Sequence, residues 1–166
     1  DTAGLELSAE KTRITHVRDG FDFIGFHLSK GMGRRGIAVP KVKISEKAKQ
    51  SVRQRLTEAL RYRPQQESIA LRVERVSYLI RGWREYFRSA HDFYRVASRL
   101  DDFVFWNMVK AICRKQDVST AQCLKRYFRR GRFVVDGGPV LERFYGTSIK
   151  LEFHNPKEYV PGGGIY

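Results

Sequence analysis

Three arginines of this sequence have the residue type and the spacing of a functional site. Arg81, Arg84 and Arg88 recur at intervals of three and four, the spacing that places side chains on one face of an α-helix. A guanidinium group presents five hydrogen-bond donors in a planar fork and can hold a phosphate or a carboxylate through two of them. The chemistry that this face predicts is the binding of an anionic partner.

The helix that must position these arginines runs from Ile69 to Arg88. We expect one apolar stripe of this helix to be buried while the arginine face remains accessible. Ser68 is a candidate N-cap. An interior glycine costs about 1 kcal/mol relative to alanine, so Gly82 predicts close helix packing at that point. The stripe consists of apolar residues at alternating spacings of four and three: Ile69, Val73, Val76, Ile80, Trp83 and Phe87.

The composition also favours an anionic partner. Among 166 residues, 32 are Lys or Arg and 18 are Asp or Glu, which gives a formal net charge of +14. Nucleic acid is the first candidate, ahead of an acidic protein or a membrane surface, and the alternative is a basic domain without such a partner. Because 42% of the residues are hydrophobic, the chain can form a real core.

Several classes of protein fit the sequence poorly. Two cysteines, Cys113 and Cys123, are too few for a disulfide scaffold, and we interpret them as reduced intracellular thiols. No apolar run approaches the roughly 20 residues that span a bilayer, so no membrane partner is expected. The four histidines are scattered and the cysteines form no C-x-x-C pair, which argues against a zinc or nuclease site. No metal site is predicted.

Hydrophobic periodicity predicts an α+β chain with a small antiparallel β portion at residues 1–44. Thr12–Val17 and Phe21–Leu28 should form a hairpin around a turn at Asp19-Gly20. Gly25 marks a bulge or a close backbone approach. The loop at 31–36 carries paired arginines, and the strand that returns from it should be interrupted by Pro40.

From Ser45 onward the period changes to that of helices. We predict a first helix from Ser45, its N-cap, to Arg63-Pro64, then the arginine-bearing helix, then a third from about Asp92 to Arg114. Three amphipathic helices with short connections form a three-helix bundle. A short basic C-terminal extension follows, with a fourth helix at Ala121–Arg130 and short strands at 133–135 and 148–153.

This order of parts resembles the C-terminal portion of group II intron reverse transcriptases, also called maturases. Leu5–Thr12 is similar to the segment that follows the polymerase active site in the palm. Gly20–Leu28, GFDFIGFHL, is similar to the primer grip. Ile80–Arg88, IRGWREYFR, is similar to the hallmark of the maturase-specific domain X, which is the helical thumb of the polymerase. The likeness covers roughly residues 1–115.

The resemblance implies three domains: the end of the palm with the primer-grip hairpin at 1–44, the thumb or domain X at 45–115, and a basic DNA-binding-like extension at 116–166. It implies that the primer grip is Phe23, Ile24, Gly25 and Phe26. Lys11 matches a family lysine discussed as a proton donor, with a surface turn lysine as the alternative. The residues expected to bind RNA are basic and lie before or on the first two helices: Arg34, Arg35, Lys41, Lys43, Lys47, Lys49, Arg53, Arg81, Arg84 and Arg88.

The metal-binding aspartates of the family palm, usually within a Tyr-x-Asp-Asp turn, have no counterpart in this sequence. Asp101-Asp102 follows Arg99-Leu100 within a helical pattern and is interpreted as a solvated helix face. No catalytic residue is therefore expected, and no cofactor in this chain. Mg²⁺ is expected only for the complete polymerase.

Aromatic residues divide into two groups. Trp83 lies at helical spacing and is expected in the core. Tyr86, Tyr94 and Tyr127 lie beside arginines and are candidates for stacking on unpaired bases, although a structural role is more frequent.

We therefore expect an RNA-binding maturase segment that helps a group II intron to fold for splicing and grips the template-primer duplex. The expected partners are the intron RNA, the RNA–DNA template-primer duplex, target DNA, and the remaining fingers and palm of the same protein. The first alternative is part of an active RNA-directed DNA polymerase whose palm another chain supplies, and the second is a protein-interaction helical module. We expect a bacterial, cytoplasmic protein and leave an organellar host open.

Overall fold

The computed structural model of the chain describes residues 16, 18–33, 36–61 and 67–145. A small antiparallel sheet is followed by four helices and a two-stranded hairpin, so the predicted α+β class is confirmed. Lys11, Arg34 and Arg35 lie outside the described residues, as does the strand predicted at 148–153. The strand predicted at Thr12–Val17 also lies outside them, apart from His16.

The sheet contains β1 (Phe21–Phe23), β2 (Phe26–Met32) and β3 (Ala38–Ile44) in the order β1-β2-β3. The prediction of one strand from Phe21 to Leu28 is wrong, because a turn at Ile24-Gly25 divides it. The φ angles there are 40° and 85°, a pattern typical of the tight two-residue hairpin turn that matches strand twist. Isoleucine is uncommon at positive φ, so the residue pair Ile24-Gly25 does not predict a turn.

The predicted interruption at Pro40 is also wrong, since β3 runs through it and pairs Pro40 with Lys30. A proline lacks the N–H that a central strand would need, but β3 is an edge strand and tolerates it. Register places Phe26 opposite Ile44 and Lys43 opposite His27. Side chains alternate across a strand, so Phe26 and Ile44 lie on one face of the sheet, whereas Lys41 and Lys43 lie on the other.

Three long helices form the predicted bundle: α1 (Glu46–Leu60), α2 (Ile69–Phe87) and α3 (Phe93–Gln116). Ser45 and Ser68 are N-caps as predicted, because their hydroxyl oxygens accept hydrogen bonds from the backbone N–H groups of Ala48 and Leu71. The apolar stripe of α2 enters the core through four residues: Val73, Val76, Ile80 and Phe87. Arg63-Pro64, where the first helix was predicted to end, lies outside the described residues, and α1 already ends at Leu60.

Gly82 does not mark close helix packing, so that prediction is wrong. Gly82 is exposed, and apart from the adjacent backbone of α2 no described atom lies within 4 Å of the position that a Cβ would take. An interior helical glycine costs about 1 kcal/mol relative to alanine. Packing within the described residues gives no compensation for that cost.

The chain then forms α4 (Thr120–Tyr127), which ends three residues before the predicted limit. Ser119 and Gln122 form a capping box at its start. A hairpin of β4 (Phe128–Arg129) and β5 (Arg132–Phe133) follows, because Arg130 and Gly131 turn the chain at positive φ. Only an isolated bridge between Val134 and Val140 continues the strand predicted at 133–135. Within the described residues, no helix has the length and apolar character needed to cross a membrane.

Candidate nucleic-acid interface

The three arginines of α2 have different surroundings. Arg81 and Arg88 have side chains 54% and 71% exposed, whereas that of Arg84 is 30% exposed. Arg84 Nη1 donates hydrogen bonds to Glu142 Oε2 at 3.1 Å and to the carbonyl oxygen of Arg143 at 2.8 Å. Arg81 is 3.8 Å from Glu142, and Arg88 pairs at 3.2 Å with Glu85 on its own helix. Arg81 and Arg88 are therefore the more accessible members of the predicted set.

The partner of Arg84 belongs to the segment Leu141–Tyr145, which we call the clamped segment. Its backbone is held by side chains of two helices. Ser77 Oγ accepts a hydrogen bond from the N–H of Glu142 at 3.1 Å. The two carboxylate oxygens of Asp101 accept hydrogen bonds from the N–H groups of Phe144 and Tyr145, at 2.7 and 2.8 Å. The clamped segment is thereby fixed against α2 and α3.

Asp101 is 5% exposed, so the prediction that it belongs to a solvated helix face is wrong, although Asp102 is exposed. Burial raises the pKa of Asp101 to about 6, against the opposing effects of the two amide hydrogen bonds and of Arg143. A buried carboxylate must find donors, and here they come from backbone more than forty residues away. Such a partnership leaves no trace in local periodicity.

The described residues do not fit a magnesium centre. They contain no group of three or more His, Cys, Asp or Glu that could hold a metal ion. Both oxygens of Asp101 are occupied by backbone amides. Cys113 and Cys123 are free, and burial raises the pKa of Cys123 to about 12, so its thiol remains protonated at neutral pH. We derive no metal-dependent step from these residues.

Lys49 on α1 makes structural contacts. It lies 2.7 Å from Glu46 and 3.2 Å from Asp92, and Asp92 in turn accepts a hydrogen bond from the N–H of Ile44. Burial lowers the pKa of Lys49, but hydrogen bonds and charge attraction to both carboxylates outweigh this effect and leave the pKa above 10.5. Lys49 thus links the sheet, α1 and the start of α3.

The remaining predicted basic residues lie on two surfaces. Lys47 and Arg53 are exposed on α1, and the Arg53 guanidinium carbon is 5.0 Å from the centroid of the Phe103 ring. Lys41 and Lys43 are opposite Ser29 and His27, on the sheet face away from the core. Their role in RNA binding stays a prediction.

The four predicted primer-grip residues form the β1–β2 turn and its flanks. Phe23 and Ile24 are exposed, whereas the Phe26 ring lies 5.5 Å from that of Tyr86. The Tyr86 hydroxyl donates to the carbonyl oxygen of Ile24 at 2.7 Å. A Cβ on Gly25 would lie 3.1 Å from the Phe87 ring, so the predicted close backbone approach occurs against α2. These contacts hold the turn against the C-terminal end of α2.

Two further arginines, Arg132 and Arg143, were missed by sequence reasoning. They line one cavity of about 210 Å³ together with the predicted Arg84 and with Glu142. Leu141 and Phe144 could have revealed the position of Arg143. Apolar residues on either side of Glu142 and Arg143 indicate that this short segment packs on the core. Both are buried.

Comparison with known families identifies the segment that contains α2. Residues 49–128 match the family model described as the group II intron, maturase-specific domain. The match includes Arg53, the α2 arginines and the helix α4. No curated protein matched the chain. The family match supports a role of this maturase-specific segment in group II intron splicing, and it suggests the intron RNA as partner.

Proposed function

We propose that this chain is the RNA-binding thumb segment of a group II intron reverse transcriptase. In this role it assists the intron RNA to fold for splicing and grips the template-primer duplex during reverse transcription. The observation that carries the proposal is that the maturase-specific match spans α2, on which Arg81 and Arg88 present accessible guanidinium groups. Phosphate contacts of this kind position a nucleic acid without reading its sequence.

Folding of the intron requires no bond chemistry from the protein. A surface that binds the compact RNA more tightly than the open RNA shifts the population towards the compact form. Lysine and arginine release counterions when they neutralise phosphates. Besides Arg81 and Arg88, the basic residues proposed for this surface are Arg34, Arg35, Lys41, Lys43, Lys47 and Arg53, with smaller contributions from Lys49 and Arg84 because carboxylates already pair with them.

Primer gripping is assigned to the β1–β2 turn. Its exposed residues Phe23 and Ile24 are carried by a backbone that Tyr86 holds. A turn with one side anchored and the other free is suited to contact a duplex through its backbone and apolar side chains. Mg²⁺ and the catalytic carboxylates would belong to the palm of the complete protein, and we place that protein in the bacterial cytoplasm. The basic hairpin β4–β5 would lie towards target DNA.

RNA affinity measured across a salt series tests the proposal. We expect the association constant of the full chain for a group II intron RNA to fall with salt, so that its logarithm decreases steeply and linearly with the logarithm of the salt concentration. The double change Arg81→Glu and Arg88→Glu should weaken binding and reduce the slope. The control is Lys110→Glu, at an exposed position of α3. Twice the loss of binding free energy that this single variant causes should remain smaller than the loss in the double variant. An affinity that is flat with salt contradicts the proposal.

A further inference from the structure

A groove of about 420 Å³ lies between α1 and α2, away from the clamped segment. This volume falls within the range typical of small-ligand sites. Its walls are apolar or aromatic except for one arginine from α1. The residues that matter for its chemistry are Val52, Arg55, Tyr78, Gly82, Trp83 and Tyr86.

Glycine keeps this groove open. Gly82 lines it in the C-terminal half of α2, and apart from the adjacent backbone of α2 no described atom lies within 4 Å of the position of a Cβ there. Glycine is the least favourable helix-interior residue after proline, and no packing contact in the described fold requires it. Because Gly82 has no side chain, the groove has space for a ligand at this position. A larger side chain here would occupy part of that space.

Two tyrosines lie on the same stripe as this glycine. Tyr78, Gly82 and Tyr86 are spaced four residues apart, so one ring lies a helical turn before the glycine and the other a turn after it, about 12 Å apart along the axis. Tyr78 and Tyr86 are 69% and 50% exposed. Tyr86 is fixed by its hydrogen bond to Ile24 and its stacking on Phe26. The groove thus has two exposed aromatic surfaces with a gap between them.

The polar groups of the groove are donors. Arg55 lines it from α1, and the Arg81 guanidinium carbon lies 5.4 Å from the centroid of the Tyr78 ring. Trp83 also lines the groove, but its indole Nε1 is buried and is not a donor that the groove exposes. The lining includes no carboxylate. Aromatic surfaces beside cationic groups are complementary to a nucleotide, which combines a flat ring with a phosphate.

We propose that the α1–α2 groove binds an unstacked nucleobase of a single-stranded RNA segment. The base lies over Gly82 and stacks on a tyrosine, and its phosphate is held by Arg55 and Arg81. Stacking on aromatic side chains tolerates any base, because every base has a π-face. This inference rests on the proposed function, since it adds a base contact to a surface proposed to bind RNA through phosphates.

Two RNA probes separate base binding from phosphate binding. The first is a single-stranded RNA of mixed sequence, twelve nucleotides long, and the second is an oligomer of the same length and charge with abasic sites at every position. We expect the full chain to bind the first about tenfold more tightly, as one stacked base provides. Gly82→Leu should abolish most of this difference and leave the salt slope unchanged. Leucine favours helices more than glycine does, so a thermal melt should show that the variant remains folded.

Ser98→Leu is the matched control, because it places the same side chain at an exposed position of α3 outside the groove. It should retain the full preference for the base-containing RNA. Equal affinity for the two probes would overturn the base site and would leave phosphate binding intact, as would a Gly82→Leu variant that keeps the preference. A groove that receives a helical peptide instead would give that equal affinity. If the chain bound neither probe, the proposed function would fail as well.

Discussion

The two flanks of α2 differ in whether the protein's own chain covers them. On one flank the clamped segment is joined to α2 and α3 by Ser77, Arg84 and Asp101. On the other flank the α1–α2 groove is open at Gly82, where no described atom beyond the adjacent backbone of α2 lies within 4 Å of a Cβ position. Both flanks carry arginines. Arg84 donates two hydrogen bonds to the clamped segment, whereas Arg55 lines the groove and Arg81, which is 54% exposed, makes a 3.8 Å ion pair with Glu142.

This difference shows that the number of basic residues on a helix does not define an interface. An arginine that donates to a carboxylate and to a backbone carbonyl must lose both hydrogen bonds before it can bind a phosphate. Arg81 loses only a long ion pair with Glu142 among the described residues, because its side chain is 54% exposed. We therefore assign structural stability to the clamped flank and ligand contact to the open flank, and the following predictions test that division.

Removal of the Asp101 carboxylate should have the largest effect. Asp101→Ala leaves the N–H groups of Phe144 and Tyr145 without acceptors, and an unsatisfied buried donor costs about 1–3 kcal/mol. We expect the free energy of unfolding to fall by about 3 to 4 kcal/mol in urea titrations. Asp102→Ala, its exposed neighbour, should change it by less than about 0.5 kcal/mol. Equal effects of the two variants would show that the hydrogen bonds of Asp101 to the clamped segment do not stabilise the fold.

The pH dependence of stability should report the same carboxyl group. Its pKa is about 6 in the native state against 3.8 for the ordinary group, so the native state holds the proton more tightly than the unfolded state does. The contribution of Asp101 to stability is then greatest below about pH 4, decreases as the pH rises through about 6, and is constant above that. The total change should be about 2 to 3 kcal/mol.

Asp101→Asn provides the reference for this pH series, because asparagine has no proton to release in this range. Subtracting its unfolding free energies from those of the original chain removes the contribution of other titrating groups. Arg143 and Asp102 face Asp101 and are present in both chains. A difference that rises with pH, or stays level, would contradict the environment described for Asp101.

Arg84 and Arg88 should separate stability from binding with a smaller effect. Arg84→Met removes hydrogen bonds to Glu142 and to the Arg143 carbonyl and should cost about 1 to 2 kcal/mol of unfolding free energy. Arg88→Met removes one exposed ion pair and should cost less than about 0.5 kcal/mol. In RNA binding we expect the order to reverse, with the larger loss of affinity in Arg88→Met. The same order in both measurements would show that the flanks do not divide these roles.

The helical parts of this fold could be predicted from the sequence because their signals are local. Hydrophobic spacing identified the buried stripe of α2, and hydroxyl residues before helical runs identified Ser45 and Ser68 as caps. The turn at Ile24-Gly25 was missed because isoleucine seldom adopts positive φ, so the tertiary contacts with Tyr86 and Ser45 had to impose it.

The candidate site was less predictable, because its features depend on contacts between distant segments. The sequence identified Arg81, Arg84 and Arg88 as one face, but the position of the clamped segment distinguishes Arg84 from Arg88. Likewise, Asp101 and Asp102 look alike in the sequence, and the backbone of the clamped segment makes one of them structural. Gly82 could be identified as an unfavourable residue for a helix interior, but residue spacing could not show that its surroundings are open.

Photochemical crosslinking tests the division between the two flanks most directly. A single-stranded RNA that contains 4-thiouridine would be irradiated in complex with the full chain, and the crosslinked residues would be identified by mass spectrometry. We predict crosslinks at Tyr78 and Tyr86, which line the open groove, and a loss of these crosslinks in Gly82→Leu. Crosslinks concentrated between Leu141 and Tyr145, with none along α2, would contradict the account.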